Sequence, residues 1–284
     1  MCRISLALLA VLAPAMAASP ELERARGLYD RTHFEQSLQV LGGMAAKDAP
    51  AYALMGRDLF MLGDQKKASD ALEKAVAADP ASAEFALWLG RAYGRRAETA
   101  NPFSAMGLAS KARQCFEKAV ALDPRYLEAL SDLFEYDVDA PSFMGGGLDK
   151  AETIAARMAQ LDAAEGYWAQ ATLAEKRKQY ESAEDQLRRA IAASPRSVGR
   201  LIDLARFLAR RGRVQEAEQV LDGAEHIAPG SPRLMFAKAD LYVQEKRNLD
   251  TAKSLLKRYL SSELTPDDPP RADAVKLLAQ AQGT

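Results

Sequence analysis

A chain of 284 residues with 38 Lys plus Arg against 39 Asp plus Glu has a formal net charge of -1, which excludes the basic footprint that nucleic acid or an acidic membrane surface demands. The length exceeds a typical single core, yet a stacked array of repeats uses it without dividing into separate globules. Aromatic side chains are few and alanine is abundant, a composition that suits helices in close approach.

The first predicted element, residues 1–17, reads as a secretory signal. Arg3 supplies the positive end, Ile4 to Ala13 the short apolar core, and Ala15-Met16-Ala17 a small-x-small site, with cleavage after Ala17 or Ala18. An apolar core of that length is too short to span a bilayer, so no stable membrane span is expected after cleavage, and the chain is expected in the periplasm or outside the cell. Cys2 lies ahead of the apolar core, whereas a bacterial lipoprotein keeps its lipidated cysteine just behind it. Cleavage would leave Cys115 as the only thiol, so no internal disulfide is expected and helix packing must supply the stability.

Residues 18–284 then read as helical hairpins. Glu21 to Asp30 and Phe34 to Ala46 form a degenerate first pair. The clearest unit runs from Tyr52 to Pro80, where Tyr52, Met55, Gly56, Leu59, Gly63, Ala68, Leu72, Ala75 and Pro80 fall at fixed offsets. Gly56 admits a second helix at close range, Gly63 and Asp64 turn the chain, Ala68 is small where two helices cross, and Pro80 stops the second helix. This stretch resembles one complete tetratricopeptide repeat. The small crossing residue recurs at Ser37, Ala68, Ala112, Ala151, Ala183, Ala217 and Ala252, at intervals of 31, 44, 39, 32, 34 and 35 residues. Pro195 and Pro229, like Leu187 and Leu221, also differ by 34 residues, the period of that repeat. After the seventh hairpin, Thr265 to Pro270 breaks the pattern. A capping helix is predicted within residues 269–282, with Val275 and Leu278 inward and Lys276 outward. The resemblance implies an all-α fold, an α-solenoid in the form of a right-handed superhelix of about seven hairpins plus this cap.

Two departures from the period mark the third and fourth hairpins. The hairpin near residues 81–124 holds ten extra residues around Asn101-Pro102, a capping pair that predicts two lengthened helices rather than a loose loop. The fourth carries a Gly-rich insertion near residues 139–147, expected on the same edge. Two readings of that edge stand open: Phe143 and Met144 cover the long finger, or Phe103, Met106, Phe143 and Met144 form a partner-binding patch. Gly145 to Gly147 ahead of a helix read as flexible entry or as an anion cradle, although no Lys-Ser or Lys-Thr follows.

The second candidate surface is the groove lined by the first helix of each hairpin, with Arg57, Arg91, Arg95, Trp168, Arg206, Arg210 and Phe236 facing outward. Arg91 with Arg95, and Arg206 with Arg210, stand one turn apart and would grip an acidic or C-terminal carboxylate segment, or pair with nearby Glu and Asp. Catalytic constellations are absent: His33 and His226 lack a partner at metal-ligand spacing, Cys115 sits on a buried stripe, and no nucleophile elbow or phosphate loop occurs. No enzyme activity, cofactor or metal is therefore expected. The sequence points to an exported, non-enzymatic interaction scaffold for a peptide or protein partner, a second copy of the chain included. The runner-up is a small-molecule or glycan-binding module of the cell envelope using Trp168, Phe236 and the arginines.

Overall fold

The computed structural model describes residues 19–283; the signal read over residues 1–17 lies outside them. Fifteen α-helices and no strand occur among the described residues. They pair as α1 (Pro20–Asp30) with α2 (Phe34–Gly43), α3 (Ala49–Met61) with α4 (Gln65–Ala78), and α5 (Ala83–Thr99) with α6 (Pro102–Leu122). Next come α7 (Leu127–Asp139) with α8 (Leu148–Leu161), α9 (Ala163–Lys176) with α10 (Tyr180–Ala193), α11 (Val198–Arg210) with α12 (Val214–Ile227), and α13 (Pro232–Gln244) with α14 (Leu249–Ser261). α15 (Arg271–Gly283) ends the stack against α13 and α14.

Local chemistry starts these helices where the sequence places its caps. The side chains of Ser19, Asp48, Asp64, Ser82, Asn101 and Asp162 each accept a hydrogen bond from a first-turn backbone N–H, satisfying donors that the helix itself leaves open. Asn101 does so immediately before Pro102, so α6 starts afresh at the finger tip and runs 21 residues, against 14 for α4.

Packing follows the small residues. Ser37, Ala68, Ala112, Ala151, Ala183, Ala217 and Ala252 are all fully or almost fully buried where paired helices cross. Gly56 and Gly90 allow still closer contact: a Cβ on Gly56 would stand 2.4 Å from Leu72 Cγ, and one on Gly90 2.5 Å from the Phe116 ring. The buried side chains form successive clusters along the stack rather than one centre, as expected when each hairpin can bury its apolar face only against its neighbours. Trp168 stands at the seam between the two largest clusters.

α15 corrects the predicted register of the cap. Ala274, Leu277 and Ala281 are buried, whereas Val275 is 54% exposed. Arg271 fixes the rotation, because its guanidinium donates to the carbonyls of Leu260 and Ser262 at the end of α14. With that anchor the stripe runs through Ala274, Leu277 and Ala281 with Leu278 partly buried beside it, so of the predicted inward pair only Val275 turns out.

Candidate interaction surfaces

The first helices of successive hairpins line a concave lumen. On its N-terminal wall, Tyr29, Arg57, Trp88 and Arg91 stack in alternation. The Arg57 guanidinium lies 4.5 Å from the Tyr29 ring centroid and 4.8 Å from that of Trp88, and that of Arg91 lies 5.0 Å from the same Trp88 ring. Such cation–π contacts hold the arginine planes against the wall.

Most of the groove arginines are committed to carboxylates of the adjoining hairpin. Arg57 Nη1 donates to Glu84 at 2.7 Å. Arg91 reaches Asp132 at 2.5 Å and Glu128 at 3.1 Å. Arg210 grips both Glu175 oxygens, at 2.9 and 2.7 Å. Arg95 bonds Glu98 at 3.0 Å and lies 3.9 Å from Asp273. These pairs stitch α3 to α5, α5 to α7, and α9 to α11. Arg206 differs: it is exposed and makes no ion pair within the described residues, its neighbour Asp203 being held by Arg200 at 2.8 Å.

The aromatic groove residues are shared between packing and lumen. Trp168 is half-buried, 5.6 Å from Phe134 and under the Arg200 guanidinium, and it still borders the lumen. Phe236 is also half-buried, packs 5.4 Å from Tyr259, and borders a chamber of about 520 Å³ between α5, α11 and α13 and the segment Pro266 to Pro270.

The lumen floor adds a residue that the sequence did not single out. Glu135 on α7 is open to the lumen but walled by protein, and its carboxyl is pushed up to about 7, first by desolvation and then by Asp132, Asp139 and Asp203. Asp203 comes from α11, two hairpins away, so only the curvature of the stack brings these carboxylates together. The predicted grip on an acidic segment thus meets arginines already paired and a floor rich in negative charge.

On the edge, the four predicted residues differ in exposure, on a turn that touches α6. Phe103 is 88% exposed and Met106 50%, on a stretch from Pro102 to Ser110 without a charged residue. Phe143 is 78% exposed, but Met144 turns inward: its carbonyl accepts from the Tyr136 hydroxyl at 3.0 Å, and it borders a cavity with Ala109 and Ala112 of the finger. Met144 covers the finger while Phe143 stands free.

The glycine loop is neither loose nor an anion cradle. Gly145 (φ +91°) lies under the Arg113 guanidinium, where a Cβ would come within 2.2 Å of Nη1, and a Cβ on Gly146 would come within 2.1 Å of the Ala140 carbonyl oxygen. All three glycine N–H groups donate to the chain's own carbonyls, those of Ser142, Pro141 and Asp137. Those donors are spent on closing the turn.

Cys115 is half-buried, and burial pushes its thiol up to about 11, far from a reactive thiolate. Among the described residues, no group of three or more His, Cys, Asp or Glu side chains is placed to hold a metal ion, and no helix is long and apolar enough to cross a membrane.

Family models described as tetratricopeptide repeat match residues 53–101 and 174–241. Among solved structures, a tetratricopeptide repeat protein from Parabacteroides merdae is similar with a TM-score of 0.59 at 13% identity, covering 92% of this chain and 97% of that one. The human IFIT1 dimer with PPP-AAAA is similar at 0.56 and 17% identity, covering 85% of this chain and 54% of that one. The Cut9–Hcn1 hetero-tetramer of the APC/C follows at 0.51 and 13% identity, with 92% and 48% covered. At these identities the likeness concerns the fold alone. No curated protein matches the sequence.

Proposed function

Because the chain is a tetratricopeptide repeat protein, an all-helical solenoid of a fold that serves protein contacts, we propose that it is an exported, non-enzymatic interaction scaffold. It acts in the periplasm or outside the cell, presenting its lumen and the edge of its third and fourth hairpins to a peptide or protein partner. The stacked hairpins hold both surfaces in place beforehand, so little ordering cost falls on this side of the contact. The edge carries the reading: Phe103 and Phe143 stand almost fully exposed beside an uncharged helix surface. Large rings that none of the described residues covers are what a partner surface offers. In the lumen, Arg206 and Phe236 are the members of the predicted set best placed to meet a guest, since the other arginines serve the stack.

A photo-crosslinking residue placed singly at Phe103, Phe143 and Arg206 tests this in cells, with Lys257 on the far side of α14 as control. Expected are discrete protein adducts at Phe103 or Phe143 that are absent from Lys257, and a processed chain in the envelope fraction that begins at Ala18 or Ser19. Adducts at none of the three positions would overturn the scaffold reading. The chamber of about 520 Å³ favours a second reading, a small-molecule or glycan site, because its size suits a compact ligand. Thermal stabilisation by such a compound, without any protein adduct, would select it.

A further inference from the structure

We propose that Arg95 and Asp273 form a reversible latch that closes the arc of hairpins and sets the width of the chamber between α5 and the segment Pro266 to Pro270. Every other ion pair among the described residues joins one hairpin to itself or to its neighbour; this one joins the third hairpin to the C-terminal helix. The Arg95 and Asp273 side chains are 46% and 34% exposed and 3.9 Å apart. Each has a fallback on its own helix: Arg95 bonds Glu98 at 3.0 Å, and Asp273 lies 3.7 Å from Lys276. Opening therefore orphans no charge, and an exposed pair is weak enough for both states to be populated.

The far side of the chamber moves as a unit with the C-terminal arm. Arg233 donates to the Asp267 carbonyl, and the Tyr259 hydroxyl to that of Pro269. Leu264 is buried in the last core cluster. Nothing comparable ties this segment to α5, which faces it with Trp88, Arg91 and Arg95 across the chamber. In a stack whose hairpins touch only their neighbours, small rotations at each step add up to a swing of one arm against the other. The latch thus gates whatever enters the chamber and responds to ionic strength, since salt screens an exposed pair.

Small-angle X-ray scattering of the full chain, fitted as a mixture of closed and open forms, tests this at about 0.01 M and about 1 M salt. Wild type is expected to lengthen in high salt. Asp273→Asn is expected to show the longer form already in low salt, with the closed-to-open ratio lowered about fivefold, the size one exposed ion pair supplies. The exchange Arg95→Asp with Asp273→Arg restores the closed form. Circular dichroism of each variant checks that helix content is unchanged. Superimposable low-salt scattering of wild type and Asp273→Asn, or an exchange variant that stays open, would overturn the latch. No partner enters the measurement, so its failure leaves the scaffold reading standing.

Discussion

Asp58 is a carboxyl group buried completely on α3, facing the equally buried Ser37 of α2. Burial pushes it up to about 8; Ser37 and Arg57 pull the other way and Glu35 adds to the rise. The folded state therefore keeps a proton that the unfolded chain releases near the ordinary carboxylate value of about 4. Stability from this site is complete below that value and is lost as pH rises through about 8. Chemical denaturation should show a decline in wild type between pH 5 and pH 9. Asp58→Asn should flatten it and gain about 1 to 3 kcal/mol at the alkaline end, where wild type must bury a charge. A wild-type midpoint that does not move with pH would mean that Asp58 is already ionised in the fold.

Helix α5 carries two glycines with opposite expectations. At Gly90 a Cβ would meet the Phe116 ring at 2.5 Å and the Ala112 carbonyl at 3.2 Å, so Gly90→Ala must push α6 away. A cost of about 1 to 3 kcal/mol follows from overpacking. At Gly94 nothing lies within 4 Å, and Gly94→Ala should gain about 0.5 to 1 kcal/mol from helix propensity. Equal effects of the two in urea denaturation would refute the close approach of α5 and α6. Gly90 is legible in the sequence as the counterpart of Gly56, 34 residues on, because hairpin contacts recur with the repeat. The cap register was less legible: Val275/Leu278 and Ala274/Leu277 are both apolar stripes, and only the hydrogen bonds of Arg271 to the end of α14 choose between them.

At the scale of the whole molecule, contacts within one repeat were readable and contacts across the lumen were not. Ser37 to Ala252 announce the crossing points because each acts within its own hairpin. The neighbourhood of Glu135 with Asp203, or of Arg95 with Asp273, depends on rotation summed over several hairpins, which no local spacing encodes. The split between Phe143 and Met144 was hidden for a related reason, since the turn that carries them is held by Tyr136, which donates to the Met144 carbonyl from another helix. The placement of the chain's two tryptophans, Trp88 on α5 and Trp168 at the seam of the two large clusters, has a spectroscopic consequence. Their emission watches the hairpins as far as α11, whose Arg200 lies over Trp168, while the arm from α13 to α15 carries no tryptophan of its own. If the C-terminal arm melts first, far-ultraviolet ellipticity should fall before the fluorescence does; coincident curves would show the array unfolding as one cooperative block.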